Sequence, residues 1–143
     1  MVVGQDKADR YRSLACQLAI EEQVQFFSGR DDVAELMSAA DLLLHPAVQE
    51  AAGIVLLEAV VAGLPVLTTE VCGYAGYINA ARCGVVIPEP FEQVNLNTAL
   101  FDALQNNEQR SRWAENARHF ADTEDLYSLA NKAADIILGL DND

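Results

Sequence analysis

The chain has 143 residues, which fits one domain. Half of them are hydrophobic and 22% charged, a globular composition rather than that of a disordered tail. The net charge of −13, from 22 acidic and 9 basic residues, argues against unassisted binding to nucleic acid or to an anionic membrane, since both need a positive surface.

In chain order, "MVVG" (1–4), "VQFFSG" (24–29), "LLLHP" (42–46), "PVLTT" (65–69) and "GVVIP" (84–88) read as strands. They are short, mostly β-branched or aromatic, and closed by Gly, Pro or polar residues. Between them, residues 6–21, 31–40, 53–62 and 74–82 carry helical spacing. In the first, Tyr11, Leu14, Ala15 and Leu18 share one face. Asp31 and Asp32 stand where an N-cap belongs. Gly63 is placed to stop the central helix at its C′ position, and Pro65 to open the next strand. After Pro90 the alternation ends, and 92–105, 108–121 and 125–138 read as three consecutive helices. The β-α-β-α order implies an α/β fold, a Rossmann-like doubly wound parallel sheet with helices on both faces.

Other features carry less. Cys16, Cys72 and Cys83 form no C-x-x-C pair and read as free thiols rather than a zinc site or a disulfide framework. "MVVGQDK" has neither the basic region nor the apolar stretch of a signal peptide. The longest apolar window is broken by Glu58, Gly63 and Pro65, short of a membrane span. The expected setting is therefore the cytoplasm. His45, alone beside Pro46, and His119, in a late helix, read as structural and solvated. Trp113, Phe120 and Leu126 follow a helical spacing that reads as core. "DND" (141–143) has the spacing of an Asp-x-Asp metal motif, but it stands at the chain end rather than after a strand, so no metal is assigned to it.

In an open parallel sheet, ligands bind beyond the carboxyl ends of the strands. "GQDK" (4–7), "SGRDD" (28–32) and "HPAVQEAAG" (45–53) fall there. The third leads into the central helix, whose first amides, about Gly53 to Val55, carry the positive end of its dipole. Ala51, Ala52 and Gly53 are nearly bare, so a ligand can approach their backbone. That combination suits a phosphate. Glu58, one turn inside on the face of Ile54, could accept two vicinal hydroxyls, as a ribose offers, while Glu50 in the loop could read a polyol such as a hexose. The spacing alone equally allows Glu50 to complement the helix dipole and Glu58 to be an ordinary half-exposed glutamate. Arg30 can likewise be a solvated charge beside Asp31 and Asp32.

The stretch "HPAVQEAAGIVLLEAVVAGLPVLTT", preceded by "FFSGR" and followed by "CGYAGYI", resembles the retaining GT-B glycosyltransferases of family 4. Within that family it is most similar to the bacterial glucosyltransferases of the lipopolysaccharide core, over nearly the whole chain. The resemblance implies a donor-binding domain over 1–143 of an enzyme that transfers glucose from UDP-glucose to an inner-core heptose with retention. It implies that Glu50, Ala51, Ala52 and Gly53 hold the donor sugar, that the amides of Ile54 and Val55 hold the diphosphate, that Glu58 holds the ribose, and that Arg30 lies against the uracil. No cofactor and no essential metal are implied.

Many relatives carry Gly-Gly-x-x-Glu after the Thr-Thr strand where this chain reads "CGYAGYI", so Tyr74 and Tyr77 receive no such role. The family's donor domain also begins earlier, with a strand-helix unit and a phosphate-clamping Arg/Lys pair, and its acceptor site lies in a preceding domain. The expectation is a domain truncated at its N-terminus that binds nucleotide but is inactive alone. The full enzyme would be cytoplasmic, peripheral at the inner membrane, and the apolar face of 125–138 would be available for self-association. Two alternatives share the fold: a GT-B UDP-sugar epimerase or phosphorylase, and a non-catalytic Rossmann-like nucleotide-binding module.

Overall fold

The computed structural model describes residues 1–4 and 7–126. Residues 127–138 of the helix expected over 125–138, the self-association assigned to it and the terminal "DND" lie outside the described residues. The chain divides into two compact units, Met1–Glu35 and Leu36–Asp143.

In the first unit, β1 (Val2–Val3) pairs in parallel with β2 (Phe26–Phe27), Val2 opposite Phe26. Parallel neighbours need a crossover, and α1 (Asp9–Gln17) supplies it. Of the face expected to be apolar, Ala15 is buried at 5% exposure, whereas Tyr11, Leu14 and Leu18 stay 48–59% exposed. They rim an apolar hollow of about 310 Å³ with Val2, Ile20 and Phe26. The helix is shorter than its periodicity because Ala19 takes a left-handed φ of 53°. The amide of Ile20 then reaches back to the carbonyl of Ala15 at 3.0 Å and closes the helix end. Helix α2 (Val33–Ser38) begins directly after Asp32, the residue expected at its cap.

In the second unit, β3 (Leu43–His45), β4 (Val66–Thr69) and β5 (Gly84–Ile87) form a parallel sheet in that order. Helices α3 (Val55–Val61) and α4 (Ala75–Ala81) are its crossovers, and α5 (Gln93–Gln105) and α6 (Asn107–Thr123) follow. The alternation implied one sheet, whereas hydrogen bonding groups the strands as two and three. Periodicity reveals that a strand exists, not which strand it pairs with.

Strand β4 is central and buried along its whole length. Leu67 packs with Ile87 and Leu96, and Leu42, Phe91 and Leu100 close around them. The approach of β5 to β4 is set by Gly84: a Cβ there would lie 1.8 Å from the carbonyl oxygen of Val66, so no side chain fits. At the end of α3, Gly63 takes φ 69°. Its amide donates to the Val60 carbonyl and that of Leu64 to Ala59, a Schellman closure that satisfies two carbonyls of the last turn. Pro65 then leads into β4, and its carbonyl accepts from the amide of Leu43 at 2.8 Å. Trp113 and Phe120 are half-buried on α6, and the rings of Phe120, Tyr77 and Tyr74 meet edge to face. Leu126 is buried.

Candidate functional site: the loop between β3 and α3

Strand β3 ends at His45, and the chain then runs through residues 46–54 before α3 begins. Such a loop lacks strand or helix partners for its backbone, so its shape depends on what grips it. Two fully buried hydroxyls at the end of β4 do so. Thr68 donates to the carbonyl of His45 at 3.1 Å, and Thr69 donates to that of Ala47 at 2.5 Å. Both threonines also contact the sulfur of buried Cys72.

The turn after β4 grips the far half of the loop. The amide of Tyr74 donates to the carbonyl of Ala52 at 3.0 Å. Gly73 lies so close that a Cβ on it would fall 2.7 Å from the carbonyl oxygen of Ala51. Gly53 is buried, takes φ 74°, and faces Cys72. Glycine serves twice here, at Gly53 for a left-handed turn and at Gly73 for a close approach of two backbones.

The first bond of the α3 turn runs from the amide of Leu56 to the carbonyl of Gly53 at 2.9 Å. The amides of Gly53, Ile54 and Val55 therefore precede any intrahelical acceptor. Leu56, Leu57, Ala59 and Val60 are buried, while Ile54 and Glu58 are exposed. The amide of Glu58 donates to the Ile54 carbonyl at 3.1 Å, so the carboxylate stands one turn above the helix start on its solvent face.

Glu50 is held differently from the simple sequence picture. Its Oε1 accepts the amide of Ala51 at 3.1 Å, and its Oε2 stands 3.7 Å from His45 Nε2. That imidazole nitrogen is buried and has no hydrogen-bond partner among the described residues. The Ala51 amide is thus already engaged by a side chain, and Ala51 and Ala52 face solvent.

The second unit therefore brings together Glu50, Ala51, Ala52, Gly53, Ile54, Val55 and Glu58. Arg30 belongs to the first unit. Its guanidinium lies 5.2 Å over the Phe27 ring and makes a bidentate pair with Asp32, at 2.6 and 2.5 Å. That hydrogen-bonded pairing raises the arginine pKa and lowers the aspartate's. Of the adjacent Asp31 and Asp32, it is Asp32 that carries this bond.

Thr68, Thr69 and Gly73 carry no role in the sequence pattern, and Cys72 reads there only as a free thiol. The signal for the threonines was two adjacent polar residues closing an otherwise apolar strand. For Gly73 no local signal existed, because its requirement comes from a segment some 20 residues away in the chain. Among the described residues, no group of three or more His, Cys, Asp or Glu could hold a metal ion. No described helix is long and apolar enough to cross a membrane.

Parallel β-α-β units with a tightly gripped small-residue loop at the carboxyl ends of the strands define a Rossmann-like α/β fold. Comparison with known proteins makes this specific: the profile of "Glycosyl transferases group 1" matches residues 1–120, and the chain belongs to that family. It is 67% identical over 138 residues to the lipopolysaccharide glucosyltransferase WaaG of Escherichia coli K12, covering 96% of this chain and 37% of that protein. It is 32% identical over 105 residues to an N-acetyl-alpha-D-glucosaminyl L-malate synthase of Bacillus anthracis, covering 73% of this chain and 27% of the relative. The crystal structure of WaaG superimposes with a TM-score of 0.90 over 96% of this chain. A sucrose-phosphate synthase from Thermosynechococcus elongatus, 23% identical, shares the fold with a TM-score of 0.78. The chain spans about a third of the length of these relatives.

Proposed function

We propose that this chain is the donor-binding part of a hexosyltransferase that moves glucose from UDP-glucose to an inner-core heptose of lipopolysaccharide with retention of configuration. The observation that carries the reading is the gripped loop with its two carboxylates, Glu50 and Glu58, flanking an exposed helix start, in a chain 67% identical to a lipopolysaccharide glucosyltransferase.

The donor would lie along the loop. Glu50, aimed by its bond to the Ala51 amide, would take hexose hydroxyls beside the bare backbone of Ala52 and Gly53. The amides of Ile54 and Val55 would take the diphosphate, favoured by the helix dipole. Glu58 would accept the two ribose hydroxyls, and Arg30 would offer its flat guanidinium to the uracil. Rigidity matters because a transfer reaction needs the anomeric carbon held within a fraction of an ångström of its acceptor, which Thr68, Thr69 and Gly73 favour by fixing the loop. The heptose acceptor would be held by the remainder of the enzyme, whose relatives are longer than this chain. The protein would work in the cytoplasm at the periphery of the inner membrane, without a cofactor or an essential metal.

Calorimetry with UDP tests the assignment. Glu58→Ala should weaken UDP binding by roughly 10- to 150-fold, the loss of about 1.5–3 kcal/mol expected for a charged hydrogen bond, while Glu50→Ala leaves UDP affinity nearly unchanged. Equal losses in both variants would reject the division of roles.

A further inference from the structure

Helix α6 turns one face toward the Gly63 turn and toward residues 37–41, and between them lies a hollow of about 380 Å³ with a polar lining. It sits at the C-terminal end of α3, where β4 begins, so the length of that helix separates it from the loop at 46–54. Its charge is out of character with the chain. The described part of this unit holds four basic residues, Arg82, Arg110, Arg112 and Arg118, against twelve acidic ones. Two of the four, Arg110 and Arg118, line this hollow, and of the acidic residues only Asp41 does. Among the described residues no carboxylate lies within ion-pair distance of either arginine, whereas Arg112 pairs with Glu108 at 3.7 Å.

Both guanidinium groups are placed by the fold. Arg110 donates to the carbonyls of Ala103 and Leu104, at 2.5 and 2.8 Å, and to the side chain of Asn107, which pins it over the end of α5. Those bonds leave part of its donor fork uncommitted. Arg118 lies across Gly63: a Cβ at that glycine would fall 2.8 Å from Arg118 Cγ and 3.0 Å from its Nη1. The residue that closes α3 thus also makes room for an arginine beside it. Between the two cations α6 presents only Ser111 and Ala114, small enough to leave the centre open. The first turn of this 17-residue helix adds the positive end of its dipole.

We propose that this hollow is a second anion site, separate from the nucleotide loop, that takes a compact ligand carrying two phosphates. Two like charges that have no carboxylate partner among the described residues, in a chain of net charge −13, suit an anion that bridges them. The arginines stand eight residues apart on α6, about 12 Å along its axis, and both line the hollow. One phosphate would meet only one of them; a diphosphate or a bisphosphate would meet both.

The test is a backbone NMR titration of the chain with inorganic pyrophosphate. Resonances of Gly63, Leu64, Ser111 and Arg118 should shift and saturate. Arg118→Gln keeps the stem over Gly63 and removes the charge, so it should weaken that saturation about tenfold with an unchanged thermal midpoint. Arg118→Lys, which keeps the charge but not the fork, should fall between them. Resonances of 50–58 report the nucleotide loop in the same spectra, and their response should be equal in all three proteins. Shifts confined to 50–58, or shifts at the hollow that persist unchanged in Arg118→Gln, would overturn the proposal.

Discussion

The hydroxyl of Thr69 donates to the carbonyl of Ala47 at 2.5 Å, across 22 residues of chain, and neither the hydroxyl nor the strand carrying it is exposed. This bond and its neighbour from Thr68 set where the loop leaves β3. Thr69→Val keeps the shape and removes the donor, leaving the Ala47 carbonyl without it. A destabilisation of about 1–3 kcal/mol is expected in denaturant unfolding. Amide exchange should quicken for residues 47–53 more than for β4 itself, and uniform quickening would show that the bond holds the core rather than the loop.

Gly73 and Gly76 make a matched pair for testing the grip from the other side. A Cβ at Gly73 meets the Ala51 carbonyl at 2.7 Å, whereas one at Gly76 meets nothing within 4 Å. Gly73→Ala should displace the loop and lower UDP affinity at least several-fold. Gly76→Ala, inside α4, should leave affinity alone and raise stability by up to about 1 kcal/mol through helix propensity. Thermal melts and calorimetry on both variants check the contrast.

The cysteines should differ sharply in reactivity. Cys16 is exposed, whereas Cys72 and Cys83 are buried. A thiol reagent should modify Cys16 at once and the other two only on unfolding. Burial pushes the Cys83 thiol up to about 11 from 9.0. A thiol whose folded pKa is raised contributes stability that is complete below the unfolded value and is lost as pH rises through the folded one. Stability should therefore decline between pH 9 and 11, and Cys83→Ala should flatten that decline.

UDP binding should survive thorough treatment with EDTA, because the proposed diphosphate partners are amides rather than a cation. An affinity that disappears on chelation and returns with Mg²⁺ would replace this mode of neutralisation by a metal-bridged one.

The sequence by itself determined the elements of the described residues and the placement of the central ones. The five strands of the described residues fall inside the runs that read as strands, because short β-branched runs punctuated by Gly and Pro have few other solutions. Gly63 closes α3 where local chemistry required, and the interval between Ile54 and Glu58 put both on the solvent face. Those features depend on neighbours within a turn or two. Only the tertiary structure decided the rest. The separation of the strands into two sheets, the hydroxyl grip of Thr68 and Thr69 and the bare approach of Gly73 all join distant segments. Even local details such as the capture of the Ala51 amide by Glu50 depend on a loop shape imposed from β4. Periodicity encodes which face of an element is buried; it does not encode what that face will meet, because partners are chosen by packing and hydrogen-bond satisfaction across the whole unit.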